Sequence, residues 1–134
     1  MNKIEATIKD IQESDIVHVV TFKAKDEELT MMALELPQGA KEGAVVTLGI
    51  KPSFVLIAKE KSDSISLTNQ IYANVKEIML GKLLVRVKLD SPIGTFESLI
   101  TRKSYDMINL HVEQEVVVMM KASEISIVKV KNAI

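Results

Sequence analysis

The sequence predicts an all-β protein made of two tandem, small, antiparallel β-barrels. Three observations carry this reading. The chain contains an internal repeat. Apolar and polar residues alternate along several short runs. Turn signals interrupt those runs at short intervals. The repeat is visible where Asn2, Ile4, Ala6, Lys9 and Ile11 recur as Asn69, Ile71, Ala73, Lys76 and Ile78. Ile8 and Asp10 are answered conservatively by Val75 and Glu77. Later, the run Val46 to Ser53 is answered by Val116 to Ser123, so the offset grows from 67 to 70 residues. Two similar segments predict two similar folded units, and the division falls at residues 1–62 and 63–134.

The elements follow in order. Ile4, Ala6 and Ile8 alternate with Lys3, Glu5 and Thr7 and predict a first strand with one buried face. A turn at Glu13-Ser14-Asp15 leads to a second run, where His18 shares a face with Ile16, Val20 and Phe22 and reads as a half-buried structural histidine. Met31-Met32 and Met119-Met120 read as core methionines rather than soft-metal ligands. Pro37-Gln38-Gly39 marks a turn, and Val45 to Ile50 is a continuous β-branched run suited to a buried strand. The polar stretch Glu60 to Ser66 is a short linker, too poor in glycine and proline to be a free tether.

In the second unit, a turn at Leu80-Gly81-Lys82 precedes the alternating set Leu83, Val85, Val87 and Leu89. Asp90 to Gly94 is a further turn. A helix is predicted from Arg102 to Asn109, with Thr101 as N-cap and Asn109 as a left-handed C-cap. Its first-unit counterpart, near Leu36 to Lys41, is shortened to a turn by Pro37 and Gly39. His111 reads as solvent-facing at the turn after the helix. Val116 to Met120 is a second buried run, and Ile125, Ile127 and Lys129 are placed on one face of a final strand.

The totals bound the function. Each unit has roughly 65 residues, small for an independent fold, so the units should pack on each other or on another chain. The formal charge is -1, from 17 basic and 18 acidic residues. That balance lacks the basic excess of a general nucleic-acid binder. The aromatic residues Phe54, Tyr72 and Phe96 are too sparse for base stacking. With no cysteine and only His18 and His111, disulfides, thiolate chemistry and a histidine-rich centre for a bare metal cation are excluded. No glycine-rich phosphate loop and no Ser/His/Asp set is present, so the chain reads as a non-enzyme. Met1 to Asp10 alternates and is charged, unlike a secretory signal, and no apolar run reaches spanning length. A soluble cytoplasmic protein without membrane insertion is expected.

The segments that suggest chemistry are polar hinges. Ser66-Leu67-Thr68-Asn69 precedes the first strand of the second unit, and Lys121-Ala122-Ser123 lies between its last two apolar runs. Hydroxyls, an ammonium and free backbone N–H groups at a turn can form an anion pocket. A fully deprotonated tetrahedral oxyanion only accepts hydrogen bonds, so donors alone satisfy it. On spacing alone, the same residues also read as turn caps and a solvated lysine. Arg86, Lys88, Arg102 and Lys103 read as a solvated face or as a weak electrostatic funnel.

Ser-x-x-Asn, then an Ile-x-Ala-x-Val strand, then Lys-Ala-Ser before a hydrophobic strand resembles the molybdate-binding Mop/TOBE domains. The resemblance covers Ser66 to Val130 well, and the first unit more weakly through Asn2, Ile4, Ala6, Ile8, Lys51 and Ser53. The whole is similar to a tandem, molbindin-type protein. The resemblance implies a five-stranded oligonucleotide-binding-type barrel for each unit. It implies molybdate or tungstate as ligand, no organic cofactor, and sites at interfaces between units of a homo-oligomer (dimer, trimer or larger). It implies storage, buffering or sensing, or alternatively a regulatory or interaction module of molybdate transport or regulation, with ligand binding reduced or lost. The oxyanion-binding residues carried over are Ser66, Leu67, Thr68, Asn69, Lys121, Ala122 and Ser123, with Asn2, Lys51 and Ser53 as first-unit candidates. Thr68 stands where the family commonly has arginine, and Pro52 removes a backbone donor from the first unit's turn.

Overall fold

The alternation that begins at Ile4 becomes a long strand with Asn2, Ile4, Ala6 and Ile8 buried on one face. The computed structural model describes residues 1–131. That first strand is β1 (Asn2–Ser14), followed by β2 (Val17–Ala24), β3 (Glu27–Ala33), β4 (Val45–Ile50) and β5 (Val55–Ala58). The second half repeats the order as β6 (Asn69–Leu80), β7 (Leu84–Ser91), β8 (Gly94–Thr101), β9 (Glu115–Met120) and β10 (Ser126–Val130). A short helix, α1 (Arg102–Ile108), stands between β8 and β9. Its N-cap and C-cap are as the sequence predicts. The Thr101 side chain accepts from Ser104 N–H, and Asn109 is left-handed at φ 58°. The first half has no helix at the equivalent place.

Both sheets are five-stranded and antiparallel, and all-β barrels with one short helix are what the sequence predicts. The sheets are nevertheless not built from one half each. One has the order β10-β4-β1-β2-β3 and the other β5-β9-β6-β7-β8. Each half therefore gives its fifth strand to the other. β5 leaves the first half and pairs with β9, Val55 opposite Met120. β10 leaves the second half and pairs with β4, Ser126 opposite Gly49. The exchange crosses the division at residues 62 and 63, so a sequence unit and a sheet are different sets of residues. The 3-10 turns Pro52–Phe54 and Ala122–Glu124 are the crossing points. Just beyond them, Val55 and Ile125 are buried, at 2% and 4% exposure. Each removes a branched aliphatic side chain from water, worth about 1.5–3 kcal/mol.

The repeat extends to irregularities. β1 shifts register against β2 between Ile8 and Asp10, and β6 shifts against β7 between Val75 and Glu77. The bulged residues are the repeated lysines, Lys9 and Lys76. Four side-chain placements differ from expectation. Leu83 lies before β7 and is 77% exposed, because it belongs to the hairpin tip. Lys129 leaves the face of Ile125 because β10 carries an irregularity between Ile127 and Lys129. His18 is half-buried as expected, with Val20 and Phe22 but not with Ile16, which is exposed; its Nδ1 has no hydrogen-bond partner. Met31, Met119 and Met120 are core residues, whereas Met32 is exposed.

Two asparagines lock the halves together. The Asn69 carboxamide accepts from Thr30 N–H at 2.7 Å and donates to Thr30 C=O at 2.8 Å and Met120 C=O at 3.1 Å. The Asn2 carboxamide accepts from Glu97 N–H at 2.7 Å and donates to Glu97 C=O at 2.9 Å. Thr30 and Glu97 are themselves equivalent in the repeat, at the same 67-residue offset. Each asparagine thus acts as a one-residue strand partner for an edge strand of the other sheet.

Two outcomes test this architecture. Asn69→Ala leaves three buried or half-buried backbone groups without partners and should cost on the order of 2–4 kcal/mol in urea unfolding. A loss below about 0.5 kcal/mol would show that the carboxamide is dispensable. Residues 1–62 and 63–134 expressed separately should not give folded monomers, since each lacks its incoming fifth strand. A dispersed amide spectrum from a monomeric half would contradict the exchange.

Candidate functional site

The two predicted polar segments leave the same end of one strand pair because β6 and β9 are antiparallel neighbours. Asn69 lies opposite Met120 in the ladder. Thr68 and Lys121 therefore continue from the same end of that pair. The first half repeats the arrangement, with Asn2 opposite Ile50 and Lys51 next along the chain. Both crossing turns sit where the sheets exchange strands.

The turns differ in their donors. At Ala122–Glu124, Lys121 is extended and provides no side-chain cap. The N–H groups of Ala122 and Ser123 open the 3-10 turn, where no intrahelical acceptor exists, while Glu124 N–H is taken by Lys121 C=O at 2.9 Å. Ser123 and Lys121 are exposed, so a hydroxyl and an ammonium accompany those amides. At Pro52–Phe54 the first of the two amides is missing, because proline has no N–H. Lys51 stands 5.9 Å from the Phe54 ring centroid, a cation–π contact that holds its ammonium beside the turn.

The linker side is also ordered. Gln70 clasps Ser62, accepting from its N–H at 2.8 Å and donating to its C=O at 2.7 Å, and donates to Leu67 C=O at 2.6 Å. Lys61 lies 4.6 Å from the Tyr72 ring centroid. Thr68 opens into a polar cleft with Lys61, Ser62, Asp63 and Gln70. Ser123 opens instead into an apolar cleft with Met31, Leu34, Pro37, Ile125 and Ile127. Ser53 lines the equivalent cleft with Leu99, Ile100, Ser104 and Met107. The predicted residues thus share one end of a strand pair, yet Thr68 and Ser123 face different clefts of the same chain.

Asn2 and Asn69 have another task. They are 6% and 1% exposed, and both amide donors of Asn69 are already used on backbone carbonyls. An anion at this end has to be held by neighbouring hydroxyl, ammonium and backbone donors rather than by the Asn69 carboxamide. Sequence reasoning missed this role. The signal was available: an asparagine at the same first-strand position in both halves, where a strand edge needs a partner.

The clefts also differ between the halves. Ser98 Oγ donates to Val55 C=O at 2.7 Å and ties β8 to β5. The equivalents of Ser98 and Val55 are Met31 and Ile125, which cannot form such a bond. Among the described residues there is no group of three or more His, Asp or Glu side chains suited to a metal cation. No helix among them is long and apolar enough to cross a membrane.

The TOBE domain family matches residues 65–127, which include both second-unit segments. No curated protein matches the chain. Among solved structures, the chain is similar to the cytoplasmic molybdate-binding protein ModG, in a crystal form grown from polyethylene glycol with molybdate bound. That likeness has a TM-score of 0.86 at 21% identity and covers 93% of each chain. The two proteins share a fold over nearly their whole lengths, and the second half of this chain matches the TOBE domain.

Proposed function

We propose that the protein is a cytoplasmic oxyanion-binding protein for molybdate or tungstate, serving storage, buffering or sensing. The observation that supports this reading is the pairing of Asn69 with Met120, from which the Ser66–Asn69 and Lys121–Ser123 segments leave the β6–β9 pair at the same end, inside the stretch that matches the TOBE domain. The ModG likeness, with molybdate held on the same fold, supports it. The chemistry is reversible binding, with no covalent step and no organic cofactor. Backbone N–H groups of Ala122 and Ser123, the Ser66 and Ser123 hydroxyls and the Lys121 ammonium are the donors. Leu67 and Thr68 add backbone N–H groups. Donors alone suit an oxyanion that carries no proton.

The sites lie between copies of a homo-oligomer. Support comes from the divergence of Thr68 and Ser123 into different clefts, which leaves each half-site open. The division into a first barrel with a reduced site and a second with the fuller one rests on Pro52, which lacks the backbone N–H that Ala122 offers at the equivalent turn. A second reading is a regulatory or interaction module that meets a molybdate transporter or regulator, with ligand binding reduced or lost. Thr68, in place of the family's arginine, favours it.

Calorimetric titration of the purified chain with molybdate, tungstate, sulfate and phosphate separates the readings. Selective binding of the first two ions is expected. No heat with any of the four would sink the binding reading and favour the regulatory one. Ser123→Ala should weaken molybdate binding by about tenfold, the worth of one hydrogen bond to a charged partner. Unchanged affinity would remove the Lys121–Ser123 turn from the site.

A further inference from the structure

The two hairpin tips are equivalent in the repeat and opposite in chemistry. The β1–β2 tip is Glu13-Ser14-Asp15-Ile16, and the β6–β7 tip is Leu80-Gly81-Lys82-Leu83. Asp15 and Lys82 therefore occupy equivalent positions with opposite charge. At the first tip, Asp15 takes a left-handed φ of 54° and all four residues are exposed. Glu13 lies 3.5 Å from His18 and forms no ion pair with a lysine or arginine among the described residues. Glu35 lies on the adjoining cleft with Val17 and Leu34, and it forms no ion pair among the described residues. At the second tip, Arg102 fastens the start of α1 to the hairpin. Its N–H donates to Leu83 C=O at 2.8 Å, and its guanidinium to Gly81 C=O at 3.3 Å. Asp106 offsets Arg102 at 3.4 Å, while Lys82 and Lys103 form no ion pair among the described residues.

Both poles also expose apolar surface. Leu83, Leu80, Met79 and Leu84 are 77%, 56%, 50% and 49% exposed at the basic pole. Ile16 and Leu34 are 70% and 63% exposed at the acidic pole. Contiguous exposed aliphatic residues of this kind mark an interaction surface. The acidic pole continues into the cleft between β3 and β10, which lacks the Ser98–Val55 tie of its counterpart. A basic, leucine-rich tip and an apolar cleft flanked by Glu13, Asp15 and Glu35 are complementary in sign and polarity.

We infer that the basic β6–β7 tip of one copy docks on the acidic β1–β2 tip and adjoining β3–β10 cleft of a second copy. The inference rests on the homo-oligomer reading above and names its surfaces; it does not depend on which oxyanion binds. The contact joins two unlike surfaces of one chain. It is head-to-tail, and each copy has both surfaces to offer, so the assembly closes into a ring or continues as a chain.

Sedimentation of the full chain, without any oxyanion, tests it. The mass should exceed one chain and fall as salt is raised, because the contact is partly electrostatic. Asp15→Lys and Lys82→Asp should each weaken association by about tenfold or more. Mixing the two variants should restore association in alternating order, since the basic tip and basic face of one then meet the acidic face and acidic tip of the other. Leu83→Ser should lower the mass while circular dichroism stays unchanged. A monomer at all concentrations would overturn the inference. So would an oligomer whose mass neither charge reversal alters. A monomer that still binds molybdate would overturn this contact and the placement of the sites between copies, leaving only the oxyanion-binding reading; an oligomer weakened by both charge reversals, with no heat from any oxyanion, would leave this contact standing and sink that reading.

Discussion

The reciprocal exchange of β5 and β10 is the constraint on which the rest of the structure depends. Neither half completes a five-stranded sheet from its own residues. The exchange forces the chain to cross between sheets twice, at Pro52–Phe54 and at Ala122–Glu124. Those crossings must be short, because Ile50 and Val55, or Met120 and Ile125, are buried on either side. A tight 3-10 turn between two buried strands leaves its leading amides without helical acceptors. The polar hinge is thus a by-product of the interlock, and its donors are available for another partner.

Interlocking also explains why asparagine recurs at the start of β1 and β6. An edge strand next to a foreign sheet presents unpaired N–H and C=O groups, which are costly when buried. A carboxamide offers one acceptor and two donors in the geometry of a peptide unit. Asn2 and Asn69 satisfy Glu97 and Thr30 in this way. Fold and hinge are consequently coupled. The residue that precedes the ligand-like donors in space is a structural bolt, and the ammonium and hydroxyls beside it stay exposed.

Much of the fold is legible in the sequence. Alternation at Ile4, Ala6 and Ile8, the capped helix after Thr101 and the shortened turn at Pro37 all appear as predicted. Strand exchange is not legible, because the apolar pattern of Val55 to Ala58 is satisfied equally by either sheet. The pattern specifies a buried face, and topology decides which neighbour covers it. The site is legible in part. Lys121 and Ser123 were visible as exposed donors at a hinge. The role of Asn69 was hidden, because residue type alone does not separate an anion ligand from a mimic of a strand. Asp15 and Lys82 show the reverse case: the repeat aligns them, but only the exposed apolar surface around both tips gives their opposite charges meaning.

If the halves are interlocked, they must unfold together. Differential scanning calorimetry of the full chain measures this directly, through the ratio of calorimetric to van't Hoff enthalpy. The exchange predicts one cooperative transition with a ratio near one under conditions where association is absent. Two resolved transitions, or a ratio near two, would mean that the halves unfold independently and would contradict the account.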